Sequence, residues 1–198
     1  TFTDAFASEE TGRRTHLYYP GTSGLLTPDH FQFEGSRARI LHLGLPGLHE
    51  QMDKPWNGDP SGWVTVLKGA RAAGIKTNLE MCSLPAPRLL EVVAPCLGHL
   101  DYLIINDFEV AALSQRPIRH GEYVDLRDCL ANAKDVFDRS SVELLVVHFP
   151  RGAIAMQRGA DPLVTQSAAV PKEAIAGSNG AGDAFASGPT PPVRGGPR

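Results

Sequence analysis

One short segment near the carboxyl end carries small residues and an acid in an arrangement suited to phosphate chemistry. Gly180, Ala181 and Gly182 lie where a loop enters a predicted helix, so their backbone N–H groups can converge on an anion beside the helix dipole. Asp183 follows in the first turn, where a carboxylate can accept the proton of a hydroxyl that attacks a bound phosphoryl group. The same residues also suit a plain tight turn followed by a first-turn helical acid.

A second pair of oxygen-bearing side chains follows an apolar strand predicted at residues 102–105. Asn106 and Glu109 are three positions apart, so on a short helix their side chains share a face. An amide and a carboxylate at a strand end can hold a hydrated Mg²⁺ ion and phosphate oxygens, because Mg²⁺ prefers oxygen ligands and retains water. The alternative is structural, with Asn106 as a helix N-cap and Glu109 as a first-turn acid.

The elements that must position these residues alternate between apolar strands and amphipathic helices. Strands are predicted at 14–19, 39–44, 75–81, 102–105 and 142–147, with a hairpin at 152–156 and 163–165, and helices at 28–32, 61–74, 87–97, 106–113 and 125–137. In the helix at 125–137, the side chains expected to point into the core are those of Leu126, Cys129, Leu130, Ala133 and Phe137. The pattern predicts an α/β fold with three α/β/α layers and a mainly parallel sheet. Ligands bind beyond the carboxyl ends of such strands, so both motifs are expected in one cleft.

The segment GAGDAF at residues 180–185 resembles the signature of the ribokinase-like (pfkB) carbohydrate kinase family. Asn106-Asp-Phe-Glu109 matches the N-x-x-E motif that this family places earlier in the chain. The resemblance implies a ribokinase-like fold, with ATP and Mg²⁺ as cofactors. It also implies that Gly180–Gly182 form an anion hole, that Asp183 is the catalytic base, and that Asn106 and Glu109 organise the metal and phosphates.

The family resemblance also implies a nucleotide-binding loop between the last buried strand and the hairpin. Gly152 at the end of that loop would allow close backbone approach, and His148 and Arg151 would contact adenine or phosphate unless they simply face solvent. Ser178 matches the Thr or Ser that precedes the glycine motif in the family and joins these nucleotide-binding candidates. Gly177 departs from the family, which commonly has an acidic residue at that position.

The resemblance divides the chain into a partial kinase domain at residues 1–188 and a tail at 189–198. Residues 12–26 resemble the returning strand and turn of the small β lid of these kinases, which would also be the contact surface of a homodimer. Four prolines and two glycines among the last ten residues predict disorder in the tail. We expect that the 198 residues are a fragment, that N-terminal and extreme C-terminal parts of the kinase are absent, and that the fragment has little activity.

Composition excludes several other classes of protein. Apolar residues make up 42% of the chain, which is ordinary for a globular protein. The formal net charge is −3, whereas a nucleic-acid binder is typically basic. No apolar run is long enough to span a membrane, and the polar, acidic start is not a signal peptide. Cys82, Cys96 and Cys129 lack the spacing of a zinc site or a disulfide framework, which favours reduced thiols in a cytoplasmic protein.

The leading interpretation is an ATP-dependent kinase that transfers the γ-phosphoryl group to a hydroxymethyl group of a sugar. A nucleoside or vitamin-precursor kinase of the same fold is a second interpretation, and an inactive binding protein that retains the fold is a third. A dinucleotide-binding dehydrogenase is disfavoured because no G-x-G-x-x-G follows the first strand. A P-loop enzyme is excluded because the motif G-x-x-x-x-G-K-[ST] is absent. The sequence predicts a small-molecule substrate but does not identify it.

Overall fold

The structure is a computed structural model that describes residues 1–8, 10, 14–119, 124–171 and 180–188. Gly177, Ser178 and the tail at 189–198 lie outside these residues. The described strands are β1 (Phe2–Ala7), β2 (Arg14–Tyr19), β3 (Ile40–Leu43), β4 (Lys76–Leu79), β5 (Tyr102–Asn106), β6 (Leu144–Phe149), β7 (Gly152–Gln157) and β8 (Leu163–Gln166). The described α-helices are α1 (Glu50–Asp53), α2 (Gly62–Ala72), α3 (Ala86–Val93), α4 (Asp107–Ser114), α5 (Leu126–Arg139) and α6 (Ala181–Ser187).

The strands form two separate sheets. The larger sheet has the order β3-β4-β5-β6-β7-β8, in which β3 to β6 are parallel and β7 and β8 are antiparallel additions. This confirms the predicted α/β fold with a mainly parallel sheet and the predicted hairpin at its edge. The smaller sheet is the antiparallel pair β1–β2, and we call these two strands the lid.

The two faces of the larger sheet are covered unequally within the described residues. Alternation along β5 directs Leu103 and Ile105 into the main core, which also contains the apolar faces of α2, α3, α4 and α5. Ile104 faces the other way and packs in a small cluster with Val146, Ala153 and the α6 residues Phe185 and Ala186. The second half of α6 is therefore packed against the second face of the sheet.

Several predicted helices differ in detail from the observed ones. The helix predicted at 87–97 becomes a 3-10 helix at Ala94–His99, because Pro95 has no N–H to continue the α-helical ladder. The glycine- and proline-rich stretch at 45–60, between β3 and α2, contains the single turn α1. The inward orientation predicted for Leu126 is wrong, since this residue is 42% exposed. It lies in the first turn of α5, ahead of the buried stripe that starts at Cys129.

The amino ends of the parallel strands are joined by a buried carboxylate. Asp101 is 4% exposed, and its Oδ2 accepts hydrogen bonds from the Thr77 N–H at 2.9 Å and the Thr77 Oγ1 at 3.0 Å. Its Oδ1 lies 3.1 Å from the Lys76 Nζ, which also pairs with Glu143. Burial disfavours the charged form of Asp101, but the hydrogen bonds from Thr77 and Lys76 outweigh this effect and lower its pKa.

No helix among the described residues is long and apolar enough to cross a membrane.

Candidate active site

A cavity of about 900 Å³ lies at the carboxyl ends of the parallel strands. Its walls include Asn106 and Glu109, where β5 meets α4, and Gly180–Asp183 at the start of α6. The lid contributes residues from both of its strands, among them Thr3 and Tyr18. The two motifs that sequence analysis singled out therefore line the same cavity, as expected for the carboxyl edge of a parallel sheet.

Asn106 and Glu109 hold each other in a capping box at the start of α4. The Asn106 Oδ1 accepts a hydrogen bond from the Glu109 N–H at 2.9 Å, and the Glu109 Oε2 accepts one from the Asn106 N–H, also at 2.9 Å. The structural alternative raised from the sequence is thus realised. The capping box engages only one oxygen of the Glu109 carboxylate, because Oε1 has no hydrogen bond from the described residues.

The surroundings of Glu109 disfavour the charged form of its carboxyl group. Burial raises the pKa of Glu109, and the nearby carboxylates of Glu80 and Asp107 raise it further, against the hydrogen bond from the Asn106 N–H. Two carboxylates that repel each other at a cavity wall are stabilised by a cation between them. The oxygen donors present therefore suit a hydrated divalent cation.

The start of α6 exposes backbone and a carboxylate to the cavity. Gly180 is the N-cap residue with φ of +71°, a left-handed conformation that favours glycine. A Cβ atom at Gly182 would have no described atom within 4 Å, so packing among these residues does not explain the absence of a side chain there. Asp183 lies in the first turn and is exposed.

Of the nucleotide-binding candidates that the structure describes, His148 lines the cavity, and Arg151 and Gly152 do not. The β5–β6 register places His148 beside Asn106, and its ring lies 4.8 Å from the Phe185 ring of α6. Burial lowers the pKa of His148. A Cβ at Gly152 would lie 2.3 Å from the Thr165 carbonyl oxygen, so close packing of β8 accounts for this glycine.

One wall of the cavity is formed by the glycine- and proline-rich segment after β3. Leu48 and His49 from this segment line the cavity, and the Tyr18 hydroxyl of the lid donates to the Leu48 carbonyl at 3.3 Å. Asp53 anchors the segment, because its Oδ1 accepts hydrogen bonds from the Gly47 N–H at 2.9 Å and from the Trp63 Nε1 at 2.7 Å. This segment therefore has a fixed place at the cavity.

A family model described as "pfkB family carbohydrate kinase" matches residues 4–190. This match spans both motifs, most of the lid and the whole of the larger sheet. The chain belongs to the pfkB family of carbohydrate kinases. No curated protein matches the chain closely enough to add a more specific relative.

Solved structures agree on the fold of this pfkB-family chain. Phosphofructokinase-2 from Escherichia coli, solved with substrates and products, superposes with a TM-score of 0.63 at 18% identity, over 93% of this chain and 55% of its own. The 2-dehydro-3-deoxygluconokinase from Thermotoga maritima gives 0.66 at 15% identity, over 88% and 54%. A microbiome-derived acarbose kinase gives 0.59 at 22% identity, over 93% and 52%. The chain therefore spans about half the length of these kinases.

Two polar residues at the cavity of this pfkB-family chain, His42 and Glu80, were not predicted from the sequence. The His42 Nε2 lies 2.7 Å from the Glu80 Oε2, and both side chains line the cavity. Glu80 directly follows β4, but the strand predicted at 75–81 included this residue, so its position after a strand was not recognised. Cys82 also lines the cavity, where burial and the charge of Glu109 raise its pKa to about 11 and keep the thiol protonated.

Proposed function

We propose that this pfkB-family protein is an ATP-dependent sugar kinase that transfers the γ-phosphoryl group of ATP to a hydroxymethyl group of a carbohydrate. The observation that carries the proposal is the shared cavity, which is lined by Gly180–Asp183, by Asn106 and Glu109, and by residues of the lid. The similar solved structures, a phosphofructokinase-2 and two other sugar kinases among them, support a sugar as the acceptor class. They do not single out one sugar.

Asp183 is proposed as the catalytic base. Its exposed carboxylate at the cavity wall can accept the proton of the attacking hydroxyl while the new P–O bond forms. The N–H groups of Gly180, Ala181 and Gly182 would stabilise the charge that develops on the transferring phosphoryl group. The open space beside Gly182 supports this role, because a ligand oxygen can approach that backbone closely.

Asn106 and Glu109 are proposed to hold hydrated Mg²⁺ together with Glu80. Bound there, the cation would neutralise phosphate charge and orient the transferring group. Among the described residues no cluster of three or more His, Cys, Asp or Glu side chains forms a metal cage. This agrees with Mg²⁺ chemistry, since the ion keeps several waters and takes only one or two carboxylates.

The nucleotide is proposed to lie along the β6 side of the cavity. The neighbouring rings of His148 and Phe185, tilted by 38° to each other, support this location, because an adenine ring can pack against aromatic side chains. Arg151, Gly152 and Ser178 stay predicted nucleotide-binding residues, Ser178 lying outside the described part of the chain.

The lid is proposed to form a homodimer through its outer face. Phe2, Phe6, Leu17 and Tyr19 are all exposed, and the rings of Phe2 and Tyr19 stack at 5.6 Å. Such an apolar patch on a two-stranded sheet is favourable only when something covers it.

A cytoplasmic location is proposed as well, supported by the free thiols of all three cysteines, which suit a reducing compartment.

The test is Mg²⁺-dependent ATP turnover with a panel of hexoses, pentoses and nucleosides. It should be measured on these 198 residues and on a longer protein that contains them. We expect turnover with at least one sugar from the longer protein, and little from the 198 residues, because Gly180–Asp183 are exposed to water here. Preference for a nucleoside would replace the sugar by the second interpretation, and no turnover on any polyol would refute the kinase proposal.

A further inference from the structure

A chain of three polar side chains runs from the interior of the sheet to the cavity. Asn78 on β4 is 4% exposed, and its Nδ2 lies 2.8 Å from the Nδ1 of His42 on β3. The Nε2 of the same imidazole lies 2.7 Å from the Oε2 of Glu80. His42 and Glu80 line the cavity, and Asn78 lies behind them.

The direction of donation along this chain follows from the chemistry of the groups. An amide nitrogen has only hydrogens to offer, so the Asn78 Nδ2–H donates and the His42 Nδ1 accepts with its lone pair. A neutral imidazole then carries its proton on Nε2, which donates to the Glu80 carboxylate. The relay fixes the imidazole tautomer and engages one carboxylate oxygen, and Glu80 Oε1 has no hydrogen bond from the described residues.

Two further observations support a role beyond packing. The Oδ1 of Asn78 is buried without a partner in the described part of the chain, which is unfavourable compared with an apolar side chain of the same size. The backbone beside Glu80 is also tightly confined, since a Cβ at Gly44 would lie 3.2 Å from the Glu80 Cβ.

We propose that His42, oriented by Asn78, is a positioning residue that holds the Glu80 carboxylate in place for the metal-bound phosphates. The proposal rests on the proposed function, in which Glu80 lies beside Glu109 at a hydrated cation. Hydrogen bonds that orient a carboxylate ligand from outside the metal's own coordination shell commonly change metal affinity 10- to 100-fold when removed. His42 would act only through Glu80 and would not touch substrate.

The first measurement is the tautomer of His42 in the ¹⁵N-histidine-labelled chain, with its signal assigned by its loss in His42→Phe. We expect a neutral ring protonated on Nε2 above the titration range of histidine. A ring protonated on Nδ1 in the unsubstituted chain would overturn the relay.

The second measurement is Mn²⁺ binding to the chain in the presence of ATP, which does not require turnover. His42→Phe should weaken Mn²⁺ binding about 10- to 100-fold, and His42→Gln should restore most of it, since an amide can still donate to Glu80. Asn78→Leu should give a smaller loss in the same direction while the chain stays folded in urea titrations. His99→Phe, at the amino end of the sheet, is the matched control and should bind Mn²⁺ normally.

The substitutions Glu80→Gln and Glu109→Gln separate the two proposals. If both weaken Mn²⁺ binding and His42→Phe does not, the positioning role is refuted and the metal site stands. If neither weakens binding, the metal site itself is refuted, and the relay loses its function with it. Equal losses in His42→Phe and His42→Gln would also refute positioning, because both variants would then act through packing alone.

Discussion

The two ends of the parallel sheet use aspartate in opposite ways. At the amino end Asp101 is buried, and hydrogen bonds from Thr77 and Lys76 satisfy its carboxylate. At the carboxyl end Asp183 is exposed on the first turn of α6. A carboxylate whose oxygens are all engaged stabilises the fold but cannot accept a substrate proton, whereas an exposed one contributes little to stability and is available for chemistry.

The largest expected effect is on catalysis at the carboxyl end. Asp183→Asn should lower turnover by roughly 10²- to 10⁴-fold in the active kinase, because the amide cannot accept the proton of the attacking hydroxyl. The free energy of unfolding should change by less than about 0.5 kcal/mol, since the side chain is exposed.

Steady-state kinetics and urea unfolding of the same preparations check this prediction. Asp161→Asn, on the exposed turn between β7 and β8, is the control and should leave both quantities unchanged. Unchanged turnover in Asp183→Asn would remove Asp183 as the base, and a large loss of stability would assign it a structural role.

The amino end should respond in the opposite manner. Asp101→Asn replaces a charged acceptor by a neutral amide beside Lys76 and the Thr77 donors, and should lower the free energy of unfolding by about 1.5–3 kcal/mol. Metal and nucleotide affinity of the folded protein should stay the same. Urea titration together with Mn²⁺ binding measures both, and an effect on binding without one on stability would contradict the division between the two ends.

A pair of glycines sharpens the same comparison. Gly152→Ala would bring a Cβ to 2.3 Å from the Thr165 carbonyl oxygen, so β8 must shift, and we expect a loss of about 1–3 kcal/mol in stability. Gly182→Ala meets no described atom within 4 Å, so stability should hold or rise. Turnover should nevertheless fall about tenfold or more, because the methyl group would occupy the space proposed for the phosphate. Destabilisation by Gly182→Ala would show that packing requires this glycine.

The mainly parallel sheet and the shared cavity were predictable from the sequence because they follow from local patterns. Apolar runs such as the one at β5 define parallel strands, and topology then gathers their carboxyl ends. The polar relay of His42 and Glu80 was not predictable, since it depends on the β3–β4 register that places two distant residues side by side. The exposure of Leu126 was missed for a similar reason, because helical periodicity does not report which turn has neighbours to pack against.

The smallest expected effect concerns pH. The pKa of Asp101 is lowered, so its stabilising contribution is present above its unfolded-state pKa of about 3.9 and is lost as the pH falls through the lower folded value. The pKa of Glu109 is raised by burial and by Glu80, so its contribution is present below about 4.3 and is lost as the pH rises. As the pH rises, the titration of Asp101 therefore increases the stability of the folded protein, and the titration of Glu109 decreases it.

Glu109→Gln should accordingly raise the free energy of unfolding at pH 7, on the order of 0.5 kcal/mol, with the gain disappearing below about pH 4. Saturating Mg²⁺ with ATP should reverse the order of the two proteins, because a ligand that binds only the folded state stabilises the protein that retains its carboxylate. Urea unfolding at pH 4 and 7, with and without Mg²⁺ and ATP, measures all four cases. A loss of stability in Glu109→Gln at pH 7 without Mg²⁺ would mean that the capping box, not the cavity, determines the role of this carboxylate.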